Sequence, residues 1–228
     1  GETALMKAAK AGHEEIVQIL LENGSEVDIQ DEFGMTAFFH AVAQVCPGCV
    51  QQLYEAGADP GLRTEAGECI YYFAAGSAEM TELLLELEVP FPSNSDLLFI
   101  EALTMENSLL INELFEAGFD PRGIVSEHPE YPGWSPLMIA VKKDMFSLVR
   151  ELIQIGVDIN RRSSRNRTAL HIACEESSTE MVQVLLENGA ETQTLIEEGR
   201  YSGFTPLFFA ALQGDTQILS LLVEYGAS

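Results

Sequence analysis

The residues best suited to covalent or metal chemistry are Cys46 and Cys49, which bracket Pro47 and Gly48. A redox pair needs a thiolate of lowered pKa at a helix N-terminus, and Pro47 could open such a helix. A zinc site would need two further ligands beside it, and Cys69 and Cys174 belong to other segments. Both cysteines are therefore read as small core residues. No serine or cysteine nucleophile has a histidine at a motif spacing, and no GxxxxGK[ST] loop occurs. Carboxylates are abundant, but no motif places one. These readings imply no enzyme, no cofactor and no metal. The second grouping is cationic: Arg161, Arg162, Arg165 and Arg167 fall within seven residues. Such a cluster could clamp phosphate or an acidic peptide. Internal pairing with the chain's own carboxylates is the expectation here.

The elements that position these groups are constrained by composition. The 228 residues are 46% hydrophobic, ample for a core, and the net charge is −24. That charge disfavours nucleic acid and anionic membranes, whose phosphates need a basic footprint. It is uneven: residues 1–121 hold 3 basic and 22 acidic side chains, net −19, and residues 122–228 hold 9 and 14, net −5. No run approaches the 18 or so apolar residues of a membrane span. Four cysteines in a chain this long do not form a disulfide framework, so a reducing compartment, cytoplasm or nucleus, is expected. Gly1 opens in mid-repeat and no signal peptide is seen, so the chain is expected to come from a longer protein.

One heptapeptide recurs. TALHIAC at Thr168 returns as TALMKAA at Thr3, TAFFHAV at Thr36, SPLMIAV at Ser135 and TPLFFAA at Thr205. Glycine follows each start after 21 residues, at Gly24, Gly57, Gly156, Gly189 and Gly226. Each unit reads as a helix, a turn, a second helix and a glycine stop. A fixed offset within a unit of about 33 residues marks a helical solenoid. Seven units are expected, at about 1–30, 31–62, 63–92, 93–122, 123–161, 162–194 and 195–228, within one domain, 1–228. The third and fourth are irregular. Glu88 stands in the glycine slot, so that helix is expected to end differently, and Leu97 replaces the threonine. Insertions are expected at Ile124–Gly133 and Leu195–Ser202.

These units resemble the ankyrin repeat, whose pattern D-x-x-G-x-T-P-L-H-x-A-A-x-x-G-H ends with L-L-L-x-x-G-A. Thr168, Leu170, His171, Ala173, Leu185, Leu186, Gly189 and Ala190 fit it, as do Thr205, Pro206, Leu207, Ala210, Gly214 and Gly226. The resemblance implies an all-α solenoid of stacked helix-turn-helix units with finger-like β-turn connections. It also implies a non-catalytic module that binds proteins on its concave face. His13 and His171 fall on structural positions of the family.

Positions that such a scaffold leaves free would face the partner. In the fingers these are Glu32, Phe33, Met35, Glu65, Glu68, Tyr131, Trp134 and Phe204; on the inner helices they are His40, Gln44, Phe73, Glu101, Met105 and Phe209. Exposed aromatics there would serve as anchors. The acidic first half points to a Lys/Arg-rich peptide or protein, bound by a monomeric fragment. Two alternatives are a regulatory portion of a larger enzyme, kinase or channel, and a methyl-lysine or histone-tail reader with Tyr131, Trp134 and Phe204 as the cage.

Overall fold

A computed structural model describes residues 1–92 and 95–228, which form fourteen helices and no strand. The expected boundary between the third and fourth units lies on residues 93 and 94, outside the described residues. Packing separates the chain into two compact units, Gly1–Phe119 and Asp120–Ser228. Unit 1 contains α1 (Ala4–Lys10), α2 (Glu14–Glu22), α3 (Ala37–Ala43), α4 (Pro47–Glu55), α5 (Ile70–Ala74), α6 (Ala78–Glu86), α7 (Asp96–Thr104) and α8 (Ser108–Glu116). Unit 2 contains α9 (Pro136–Lys142), α10 (Phe146–Ile155), α11 (Ala169–Glu175), α12 (Thr179–Glu187), α13 (Pro206–Gln213) and α14 (Thr216–Glu224). In unit 1 the first helices stack in the order α1, α3, α5, α7; in unit 2 the order is α9, α11, α13.

Local chemistry explains where each helix starts. The side chains of Thr3, Thr36, Ser95 and Ser135 accept the N–H three residues on, relieving one of the unpaired donors of the first turn. Ser95 takes the capping role that the repeat offset assigns to Leu97. Leu97 lies instead inside α7, two residues longer at its start than α1, and is exposed.

The turns show which residues the backbone tolerates. Gly12 adopts φ +69° between α1 and α2, and Val45 takes φ +57° in the same place between α3 and α4. The bonds are the same: Gly12 donates to Ala9 and His13 to Ala8, as Val45 does to Val42 and Cys46 to Ala41. Glu88, expected to end α6 differently, adopts φ +54° and closes it as glycine does elsewhere. Its N–H reaches the Leu85 carbonyl and that of Val89 the Leu84 carbonyl. Tertiary packing overrides the side-chain preference here.

Polar groups are satisfied across the stack. In unit 1 the buried Asn107 amide donates to the Ala75 carbonyl and the Thr81 hydroxyl, both at 3.0 Å, while its oxygen accepts from Leu110. In unit 2 His171 is fully buried. Its Nε2 is 3.0 Å from the Thr194 carbonyl and its Nδ1 lies 3.2 Å from the Thr168 N–H. The first contact requires an Nε2–H donor and the second an Nδ1 acceptor, so the neutral ring fits. Burial, with the nearby Arg167 charge adding to it, holds the His171 pKa down at about 4.

Two outcomes follow. Val45 is 44% exposed, so Val45→Gly loses little burial and relieves a β-branched residue of positive φ. It should stabilise the protein by about 1 kcal/mol in urea unfolding. For His171 the folded pKa lies below the unfolded value, so the unfolded chain binds the extra proton first as pH falls. Stability is complete above about pH 6.5 and is lost down to about pH 4, a change of about 3 kcal/mol. Urea midpoints measured across this window should show the slope, and His171→Gln should remove it.

Candidate partner-binding surface

The fingers are short hairpins closed by a backbone pair, reinforced in all but the Ile196 finger by a buried side-chain acceptor. In the first, Asp31 N–H donates to Met35 and Gly34 N–H to Asp31. The Asp31 Oδ1 also accepts from Phe33 at 2.9 Å and Met35 at 3.0 Å, and its Oδ2 meets His40 Nε2 at 3.0 Å. Burial alone would raise the Asp31 pKa. The two backbone donors and the His40 ring outweigh it and hold the carboxyl below its ordinary value. Thr64 plays the same part in the second finger, accepting from Glu68, and Ser163 does so for Arg167. Both expected insertions sit within this frame. Ser126 N–H donates to Trp134 and Ile196 N–H to Phe204, so the extra residues loop out between closed ends.

The first two fingers brace each other. Glu65 N–H donates to the Phe33 carbonyl at 2.9 Å, and the Gln30 amide reaches both the Gly34 and Arg63 carbonyls. Gly34 makes this approach possible: a Cβ there would stand 2.7 Å from the Glu65 nitrogen, and φ is +78°.

This arrangement leaves an acidic edge on unit 1. Glu32 and Glu65 are exposed, and Phe33, next to Glu32 in the chain and bonded through its carbonyl to the Glu65 N–H, is 65% exposed. Glu68 and Met35 are half-buried, Glu68 accepting the Thr64 hydroxyl at 2.8 Å. At the C-terminal ends of α3 and α7, Gln44 and Met105 are exposed, and half-buried Phe73 packs edge-on against Phe39.

Four residues expected on the binding surface are buried instead. His40 is 7% exposed because it holds Asp31, which makes it a brace for the finger. Glu101 is 8% exposed beside Tyr72, whose pKa is pushed up to about 12 by burial and by the Glu101 and Glu68 charges. Tyr131 is 5% exposed against Trp134, and Phe209 is 1% exposed under Phe204 and Tyr201. The proposed methyl-lysine cage is not an open slot. The Arg167 guanidinium already lies 5.6 Å over the Trp134 ring, and half-buried Phe204 is stacked on Phe208. The residue that the free-position reasoning missed is Asp31, although the family pattern places an aspartate five residues before the threonine.

Other chemistry is committed elsewhere. Cys46 and Cys49 are both buried, as expected of core residues, and are also paired as a disulfide across the first turn of α4. The i, i+3 spacing at a helix start puts both sulfurs on one side. Glu2, Asp31 and His40 are the one metal-capable grouping among the described residues, with ligand atoms within 4.8 Å. Lys7 and Lys10 already neutralise Glu2, at 2.9 and 3.0 Å, so the donors are occupied.

A family model described as ankyrin repeats, in three copies, matches residues 1–64, 98–195 and 137–228. The chain belongs to the ankyrin-repeat family. Ankyrin repeats are in general protein–protein interaction modules, without catalysis of their own. This ankyrin-repeat chain resembles the human ASB11 ankyrin repeat domain with a TM-score of 0.73, 19% identity, and coverage of 100% and 99% of the two chains. It is also similar to the ankyrin repeat domain of Bcl-3, with a TM-score of 0.66, 26% identity, and coverage of 98% and 99%. Among sequences it is 26% identical over 215 residues to the putative ankyrin repeat protein L371 of Acanthamoeba polyphaga mimivirus, which spans 89% of this chain and 27% of that protein. The first relatives in sequence are longer: the chain spans between 7% and 27% of their lengths.

The braced fingers make Gly34 the sensitive point of this surface. Gly34→Ala should cost about 2 kcal/mol, from left-handed backbone strain and collision with the second finger. Urea unfolding should show the loss, and hydrogen exchange at the Glu65 amide should accelerate.

Proposed function

We propose that the acidic finger edge of unit 1 holds a Lys/Arg-rich segment of a protein partner, with Phe33 as its apolar anchor. The observation that carries this reading is the exposure of Phe33, Glu32 and Glu65 on a finger pair fixed by backbone bonds. A largely exposed aromatic group on a finger pair that also bears exposed glutamates suits the aliphatic stem and charged head of lysine or arginine. Charge supports it: unit 1 holds 21 of the 36 carboxylates and 3 of the 12 Lys and Arg residues, and Lys7 and Lys10 are tied to Glu2. The carboxylates supply on-rate and selectivity, and Phe33 with Met105 and Gln44 would supply contact area. Because the chain spans a minor part of its relatives' lengths, a second reading makes it the partner-holding portion of a larger protein, whose own activity lies elsewhere.

The test is titration of the chain with a labelled Lys/Arg-rich peptide at low and high salt. Binding should weaken at least about tenfold in the Glu65→Lys, Glu68→Lys double variant and about tenfold in Phe33→Ala. Affinity that ignores both salt and charge reversal would sink the reading.

A further inference from the structure

Unit 2 carries a site of opposite character. Of the four finger arginines, Arg162 pairs with Glu191 at 3.1 Å and Arg167 pairs with Glu175. Arg161 and Arg165 are exposed and have no ion pair among the described residues, and of the two Arg165 lines a cavity. This cavity of about 310 Å³ lies between the finger and the preceding insertion, lined by Trp134 and Pro132 on the insertion and by Ser164, Arg165 and Arg167 on the finger. The Arg167 Nε is buried and has no hydrogen-bond partner among the described residues. A guanidinium presents its donors as a planar fork, so the exposed, unpaired Arg165 guanidinium lining this cavity suits an oxygen acceptor. The volume suits one side chain with its bound water and is too small for a large cofactor.

One acidic group opposes this. Glu130 also lines the cavity, although its Oε1 already accepts the Tyr131 hydroxyl at 3.1 Å. With Arg167 paired to Glu175, the unpaired Arg165 guanidinium faces one lining carboxylate whose lone pairs are partly used. Arg167 also holds Glu175 and rests over Trp134, so it is fixed in place and Arg165 is the cation free to respond.

We propose that this cavity binds an oxyanion, carboxylate or phosphate, on a side chain of an extended peptide. Arg165 is its cation and donor, and the Trp134 ring, held under the Arg167 guanidinium, is the wall against which the peptide lies. The site is independent of the acidic edge on unit 1 and selects the opposite charge.

Trp134 is the sole tryptophan of the chain, so its fluorescence reports this cavity alone. The full chain would be titrated with three peptides of one sequence, carrying phosphoserine, glutamate or serine at the central position. A saturable change with either anionic peptide and none with serine supports the site, and the tighter of the two names the source of the oxyanion. Arg165→Ala, a change at an exposed position, should weaken binding about tenfold, and Glu130→Gln should tighten it about threefold. Absence of a saturable change with both anionic peptides overturns the proposal. Serine binding as tight as the anions, or equal affinity in Arg165→Ala and the parent chain, does so too. Circular dichroism of each variant separates lost binding from lost fold.

Discussion

Helices of this length cannot stand alone, and the rest of the structure follows from that. The longest, α10, has ten residues, and isolated helices shorter than about 12–15 residues are marginal in water. Each pair must therefore bury its inner face against a neighbour, and the same slot shows it repeatedly. Met6 and Phe39 in unit 1, and Met138 and His171 in unit 2, occupy equivalent positions and are at most 1% exposed. Phe208 fills that slot in the last pair and is 54% exposed. The neighbour covers the slot; the residue type does not. Methionine, phenylalanine and a neutral histidine all serve, because volume and hydrogen-bond satisfaction matter more than identity.

The same economy governs the fingers. Their backbone leaves the helical ladder and must find partners close to the core, where an unpaired group is costly. Aspartate, threonine or serine at one buried position supplies the acceptor: Asp31, Thr64, Ser126 and Ser163. With the base of these fingers fixed this way, the side chains at their tips carry little structural duty. Glu32, Phe33 and Glu65 can be tuned for a partner, and in unit 2 the tip can hold arginines or be lengthened by insertion without disturbing the closed ends. This separates stability from recognition, so one scaffold presents an acidic edge in one unit and a guanidinium-lined cavity in the other.

Much of this was legible in the chain itself. The heptapeptide at Thr3, Thr36, Ser135, Thr168 and Thr205 locates the first helix of five pairs, and Gly24, Gly57, Gly156, Gly189 and Gly226 the ends of the second helices. The surface was read less well. Phe33 and Phe209 look alike as apolar residues in nominally free positions, yet one is 65% exposed and the other 1%. Tyr201, contributed by the second insertion, packs edge-on against Phe209, and no repeat pattern describes an insertion. His40 and Asp31 stand nine residues apart and meet because the finger folds back over its helix.

By itself, then, the order of residues determined the kind of fold, the number of helix pairs and the uneven charge, since these depend on short periods and on sums. Tertiary packing alone decided which side chains remain outside, which finger arginines lack a carboxylate, and that Glu88 and Val45 would bend as glycine does. Those outcomes turn on atoms brought together from neighbouring pairs and inserted loops, and the free energy of such contacts is not a property of any local stretch.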